Sequence, residues 1–540
     1  MKPLFFLLPA LLLLACDPKE KADTIVYNTN VYTVDEEFNE VEAFAVRNGE
    51  IIAVGSTSDI LGAYEAFEML DLEGLYVYPG FIDAHAHFLG YGLSLQSADL
   101  RNTGSWEEVI ERLKEFALTR PEGWLTGRGW DQNDWATRQF PDNSLLNAAF
   151  PAQPVLLKRI DGHAAIANQA ALTLAGIRPG DTISGGRIET LNGRLTGLLI
   201  DNAVDRVAAM IPAPDFNQKM QALLDAQQRC FEYGLTTVTD CGVNYQDLMV
   251  MDSLHRAETL KMRIYAMLSD SPANYRYLLS KGMIKTPRLH VRAFKVYSDG
   301  ALGSRGACLL HPYSDDSSNR GFLLSNPAHF DAVARLIYEN QFQMCTHAIG
   351  DSANRLILQV YGKYLKGKND RRWRIEHAQV VNQRDFDLFG RFGIVPSVQP
   401  THATSDMTWA IHRLGKDRVQ GAYAYKSLLA QNGWLPLGTD FPVEDISPLR
   451  TFHSAVYRSN EQGLPAKGYQ PSQSLTPEQA LRGMTIWAAR ASFEEKEKGS
   501  IEKGKRADFV VLEKDLMKAP ADSIVKMRAY MTYVDGERVY

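Results

Sequence analysis

The chain has 540 residues, 45% hydrophobic, 23% charged and 10% aromatic, with 58 Lys and Arg against 64 Asp and Glu for a net charge of −6. These ordinary globular proportions exclude disordered, collagenous and low-complexity classes, and the absence of a long basic run argues against nucleic acid as the main partner. Five cysteines cannot form a disulfide scaffold, and the length admits about three domains or one large barrel with attachments.

Lys2 precedes an apolar run over residues 4–14. That run is shorter than the roughly 18–20 residues of a spanning helix and has the form of a secretory signal core. It closes Leu13-Leu14-Ala15-Cys16, ahead of the polar Asp17-Pro18-Lys19-Glu20. Small residues before a cysteine resemble a bacterial lipobox, which implies removal of residues 1–15 and lipidation of Cys16. A plain signal peptide with an incidental Cys16 is the alternative. The lipobox resemblance implies an envelope protein, periplasmic or surface-facing, that meets the membrane only through its lipid anchor.

Within residues 22–76, short β-rich runs recur at 24–27, 31–34, 43–46 and 50–55, and Asn48-Gly49 signals a tight hairpin between the last two. Residues 497–540 return to that style at 507–512 and 531–536. Both chain ends together predict a small β-sandwich. Between them, residues 77–496 alternate short apolar runs with helix-length stretches, the pattern of an α/β fold with a parallel sheet. Candidate strands at 77–83, 236–239, 263–268, 291–297, 343–346, 373–376, 393–398 and 435–438 predict a (β/α)8 TIM barrel. The stretch 100–228 is too long for one crossover and predicts an inserted subdomain. Cys230, Cys241, Cys308 and Cys345 have no spacing that selects a pair, and buried free thiols are the favoured reading.

Metal-binding residue types gather at the predicted C-terminal strand ends, where barrels of this kind hold active sites. The first strand runs out through Asp83-Ala84-His85-Ala86-His87. Two histidines at i and i+2 of an extended segment point to one side and can share an ion. The fifth strand ends in Thr346-His347, the sixth in Glu376-His377 and the eighth in Thr439-Asp440. This nitrogen and oxygen donor set suits zinc, with manganese or nickel as alternatives. Lys295 on the fourth strand faces the barrel axis, where an unpaired ammonium is costly. Either it pairs with a neighbour such as Asp299, or its amine, with a pKa lowered by burial and nearby cations, reacts with CO2. The resulting carbamate would offer two oxygens to bridge two ions.

Other polar residues admit two readings each. His163, in Asp161-Gly162-His163, and His402, in Gln399-Pro400-Thr401-His402, either touch substrate or make local turn hydrogen bonds. Arg305 suits a substrate carboxylate or neutralises Asp315 or Asp316. Trp130, Trp135 and Trp409 line a pocket or, as aromatics do by default, fill a core.

Together, HxH on strand one, Lys on strand four, His on strands five and six and Asp on strand eight resemble the amidohydrolase superfamily, in its binuclear, carboxylated-lysine form. Tyr78-Pro79-Gly80-Phe81-Ile82-Asp83-Ala84-His85-Ala86-His87, Lys295-Val296-Tyr297-Ser298-Asp299-Gly300-Ala301-Leu302-Gly303-Ser304-Arg305 and Gly499-Ser500-Ile501-Glu502-Lys503-Gly504-Lys505-Arg506-Ala507-Asp508 resemble the YtcJ-like amidohydrolases, family 3. The resemblance implies that His85, His87 and Asp440 bind one divalent metal, His347 and His377 a second, with carboxylated Lys295 between them. It implies attack by metal-activated hydroxide on the carbonyl of a small-molecule amide or cyclic amide. Asp440 would then pass the water proton to the leaving amine, with His163 or His402 helping to hold the oxyanion. The expected enzyme is a hydrolase of non-peptide C–N bonds, and a homodimer is compatible with this reading. Two alternatives stand beside it. One is a mononuclear deaminase on the same barrel, which calls for a catalytic Glu close to the strand-five or strand-six histidine, whereas His347 is followed by Ala348-Ile349-Gly350-Asp351. The other is a non-catalytic envelope binding lipoprotein, which predicts missing ligands.

Overall fold

The structure is a computed structural model that describes residues 19–119 and 122–540, so Cys16 and the signal segment lie outside the described residues. Seven strands form its central sheet: β1 (Phe81–Ala86), β2 (Leu235–Val243), β3 (Arg263–Ser269), β4 (Leu289–Tyr297), β5 (Gln343–Ala348), β6 (Arg374–His377) and β7 (Val395–Ser397). They lie side by side in chain order with every neighbouring pair parallel, and the short strand Ile284–Lys285 adds to β4 antiparallel. Parallel neighbours need a crossover at each step. Helices such as Pro327–Glu339 and Asp351–Leu365 occupy those crossovers. The first of these begins with Pro at its opening turn after Asn326, whose side chain accepts from His329 N, and buries Phe330, Val333, Ala334 and Ile337.

The expected eighth strand is reduced to a bridge. Gly438 N donates to Val398 O at 3.0 Å and Ala84 N donates to Leu437 O at 3.1 Å, so residues 435–438 close the gap between β7 and β1 with single contacts. Asp83 locks that seam by accepting from Thr439 Oγ1 at 2.6 Å and from the amides of Thr439 and His85. A side chain at Gly438 would place its Cβ 2.5 Å from His85 N, so only glycine lets the two segments approach this closely.

The expected first strand is two. Tyr76–Pro79 pairs with Phe509–Leu512, while Phe81–Ala86 enters the barrel. The chain changes sheets at Gly80, whose N donates to Asp508 O and where a Cβ would meet Thr236 at 2.4 Å. Strands from both chain ends form the sheet that contains this pairing, and a second sheet holds Glu20–Tyr27, Ala43–Arg47, Glu50–Gly55 and Tyr64–Asp71. Val26, Phe44 and Val46 from one sheet and Val77, Phe509 and Val511 from the other share one apolar cluster. Asn48 and Gly49 both take positive φ at the hairpin tip.

A separate six-stranded sheet is built from Ala98–Asp99, Leu125–Trp130, Val155–Arg159, Ala164–Ala167, Gly186–Leu191 and Arg194–Asp201. The helix Phe216–Glu232 packs on the helix Phe88–Ser94 and on β2. It is therefore part of the barrel wall, and the expected boundary at 228 falls inside a barrel helix. Cys230, Cys241, Cys308 and Cys345 are free thiols. No described helix is long and apolar enough to cross a membrane.

Candidate metal centre

His85, Lys295, His347, His377 and Asp440 are all buried at the C-terminal rim of the barrel, and the His87 side chain stays 27% exposed. One donor atom each from His85, His377 and Asp440 lies within 4.8 Å of the others. Asp440 Oδ1 stands 3.2 Å from His87 Nε2 and 3.5 Å from His85 Nε2, without the alignment of a hydrogen bond. The His347 and His377 rings are 4.6 Å apart between centroids. Lys295 Nζ lies 2.9 Å from His85 Nε2. His377 and Asp440 both have positive φ (72° and 64°), a conformation that side chains other than glycine rarely adopt and that marks functional sites.

Two of the inner imidazoles, His85 and His377, are oriented by a partner on the far nitrogen. His85 Nδ1 is 2.5 Å from Glu376 Oε2, and Glu376 is held in turn by Arg374 at 2.7 Å. His377 Nδ1 is 2.7 Å from Gln399 Oε1. Such contacts fix the tautomer and leave Nε2 for a cation. His347 Nε2 and Asp440 Oδ1 are buried with no hydrogen-bond partner. These two orphaned atoms, an imidazole nitrogen and a carboxylate oxygen, are of the kind a divalent metal ion coordinates.

Electrostatics divide the histidines. Burial, reinforced by Lys295, lowers His85 to about 4, and burial with neighbouring imidazoles holds His347 and His377 well below their ordinary value. These three are neutral and able to act as ligands. For His163 and His402 burial is outweighed by carboxylates. His163 Nδ1 is 2.6 Å from Asp201 and its pKa rises to about 9, while His402 bridges Asp440 Oδ2 at 3.3 Å and Glu444 at 2.9 Å and is raised well above 6.5. Asp440, although buried, is held well below the usual carboxylate range by His85, His402 and His87.

Lys295 is under opposing influences. Burial lowers its pKa, but Tyr297, Cys241, Glu376 and Asp440 outweigh that and raise it. Nor does it pair with Asp299, which instead accepts from the amides of Ile349, Gly350 and Cys308 and so shapes the loop after β5.

His87, Lys295, His347, His377 and Asp440 open on a cavity of ≈ 910 Å³, and Arg128, Arg159, His163 and Asp201 face it from the six-stranded sheet. His402 and Trp409 line it as well. Two expected substrate contacts are elsewhere. Trp130 is fully buried, donates its indole N–H to Leu157 O and packs against Trp106 and Trp135. Trp130 and Trp135 belong to that sheet's own apolar core. Arg305 is paired with Asp315 at 3.1 Å, off the cavity wall. Glu376, Gln399, Asp201 and Glu444 escaped the reading of the sequence. Only Glu376 left a trace there, as one of two charges, with Arg374, at period two on a short strand that is buried throughout.

A parallel barrel whose strand ends present imidazole and carboxylate donors to one cavity is the framework of a metal-dependent hydrolase. The profile of the amidohydrolase family matches residues 68–540, and the chain belongs to that family. Protein LONG AFTER FAR-RED 3 of Arabidopsis thaliana is 32% identical, over 96% of this chain and 92% of its own. YtcJ of Bacillus subtilis is 32% identical over 94% and 98%. An N-substituted formamide deformylase of Arthrobacter pascens is 26% identical over 95% and 97%. Among solved structures, an uncharacterized metal-dependent hydrolase from Pyrococcus horikoshii superposes with a TM-score of 0.75 at 28% identity, over 92% of this chain and 99% of that one.

Proposed function

We propose that this metal-dependent hydrolase cleaves an amide or cyclic amide C–N bond of a small molecule, using two divalent ions, zinc by preference, bridged by carboxylated Lys295. The observation that carries the reading is Lys295 itself, fully buried with Nζ 2.9 Å from the ligand nitrogen of His85. A buried ammonium facing neutral imidazoles is costly, whereas a carbamate there would face the same cations as the other donors. It forms when the free amine attacks CO2, making an N–C bond and releasing one proton. Among the groups that raise Lys295, Glu376 and Asp440 are carboxylates whose charge two ions would offset. The Arthrobacter pascens relative, a deformylase of N-substituted formamides, supports the choice of a C–N bond.

Bound divalent ions supply charge that acidifies water at neutral pH and polarises a carbonyl. Asp440, ionised and beside the cavity, accepts the water proton and delivers it to the leaving nitrogen. Cationic His163, beside His347, is placed to donate to the oxygen that gains negative charge, whereas His402 spends both ring nitrogens on Asp440 and Glu444. Glu376 keeps His85 in one tautomer throughout.

The compact trio His85, His377 and Asp440 favours a second reading, one ion with unmodified Lys295. A deaminase-type Glu is not free beside His377, because Glu376 is committed to His85 and Arg374. The test is metal analysis with turnover on N-formyl, N-acyl and cyclic amides. Two ions per chain, with both metal content and turnover lost in Lys295→Ala, is expected; retention of both would overturn the bridging role. We also place the enzyme in a bacterial envelope, tethered through Cys16, so that Cys16→Ser would release it from the membrane fraction.

A further inference from the structure

The arginines that face the cavity are unequal. Arg101 is paired with Asp99, Arg159 with Asp131 and Asp161, and Arg450 with Asp445 and Glu461. Arg128 has no carboxylate partner among the described residues. Its single hydrogen bond runs from Nη2 to Ile160 O at 2.9 Å, and its Nε is buried with nothing to donate to. The carboxylates nearby are engaged, Asp131 and Asp161 by Arg159, Asp201 by His163 and Glu444 by His402.

A second cation stands beside it. In the parallel pairing of Leu125–Trp130 with Val155–Arg159, Arg128 is in direct register with Lys158, so both side chains leave the same face of the sheet. Lys158 forms no ion pair among the described residues, and Asp205 supplies the only opposing charge it feels. Two like charges in register, neither matched, are unfavourable in an empty site. Space is kept around the guanidinium: at Gly162 a Cβ would come within 3.2 Å of Arg128 Nη2. The position is also close to the chemistry, since Arg128 lines the same cavity as Asp440.

We propose that Arg128, supported by Lys158, anchors a carboxylate on the substrate, so that the molecule cleaved is an amide carrying a negative charge near its scissile bond. The inference rests on the amide-hydrolase reading for the word amide, and on the cavity wall alone for the word carboxylate. Arg128 lines the cavity, a planar guanidinium matches a carboxylate's two oxygens, and charge-assisted pairs of this kind are the stronger hydrogen bonds.

The test is calorimetric binding to the zinc-loaded protein of matched N-acetyl amino acids and their carboxamides, as both enantiomers, with glycine, alanine, phenylalanine and glutamine side chains. At least one carboxylate should bind about tenfold or more tighter than its carboxamide. Arg128→Gln should erase that preference, Arg128→Lys should keep part of it, and thermal melts confirm that both fold. Equal affinity within every pair, or no binding by any carboxylate, overturns the proposal, and neither result needs a variant. A preference that survives Arg128→Gln also overturns it, because the carboxylate would then sit on the metal ions. Turnover is scored separately. Carboxylate binding without cleavage of any amide would remove the amide-hydrolase reading and leave the anion site standing; cleavage of neutral amides without a carboxylate preference would do the reverse.

Discussion

The barrel rim and the six-stranded sheet face one cavity, yet they hold their polar side chains in opposite ways. On the rim, the ring nitrogens turned away from the cavity are taken by neighbours, Glu376 for His85, Gln399 for His377 and Glu444 for His402. On the sheet, Arg159 is saturated by two aspartates while Arg128, one strand away, has only a carbonyl. The rim is preorganised for charge that arrives with a metal and changes during reaction. The sheet combines finished salt bridges, which build the wall, with the unpaired Arg128 and Lys158, whose charge a ligand can meet. Chemistry and selection therefore sit on different parts of the fold, and a substitution should show which part it touches.

The sharpest break should come from Asp440→Asn. If the rim carries the chemistry, kcat falls about 10²–10⁴-fold in steady-state kinetics. A change confined to KM would erase the division. Next, Trp130→Ala should lower stability by about 3–5 kcal/mol in denaturant unfolding, while KM of the folded fraction stays close to wild type. A raised KM at unchanged stability would return Trp130 to the cavity wall. A smaller effect is expected for Glu376→Gln, where metal affinity should weaken about 10–100-fold in competition with a chromophoric chelator. Unchanged affinity would show that His85 needs no orienting partner. The mildest case is Arg305→Ala. Its ion pair with Asp315 is partly solvated and Arg413 also reaches Asp315, so the loss should be under about 1 kcal/mol with KM unaltered. A large rise in KM would make Arg305 a substrate contact after all.

The barrel was legible because its strands are short apolar runs with polar ends, a local pattern. Seven of the eight expected strands are present. The eighth failed because Leu435–Gly438 closes the seam through isolated bonds, and a single bridge has no ladder for periodicity to report. The rim histidines His85, His347 and His377 were legible for a related reason, since they sit at strand ends and strand ends converge in this architecture. For Trp130 and Arg305 the cavity reading gave way to the alternatives left open beside it, a core and Asp315, because an aromatic and an arginine look the same in sequence whether they face a core, a carboxylate or a cavity. Arg128 was passed over on the same ground. Its significance lies in a partner that is missing, and a missing partner leaves no mark in a string of residues.

Local order along the chain determined the kind of fold, the strand ends and the donor types, because side-chain alternation and turn chemistry are set by near neighbours. Tertiary structure alone decided who holds whom. Glu376 reaches His85 across 291 residues, and Thr439 reaches Asp83 across 356. Hydrogen bonds and charge act over a few ångströms of space and carry no memory of separation along the chain. Which imidazole is neutral, which is cationic and which guanidinium stands unpaired follow only once the chain has folded.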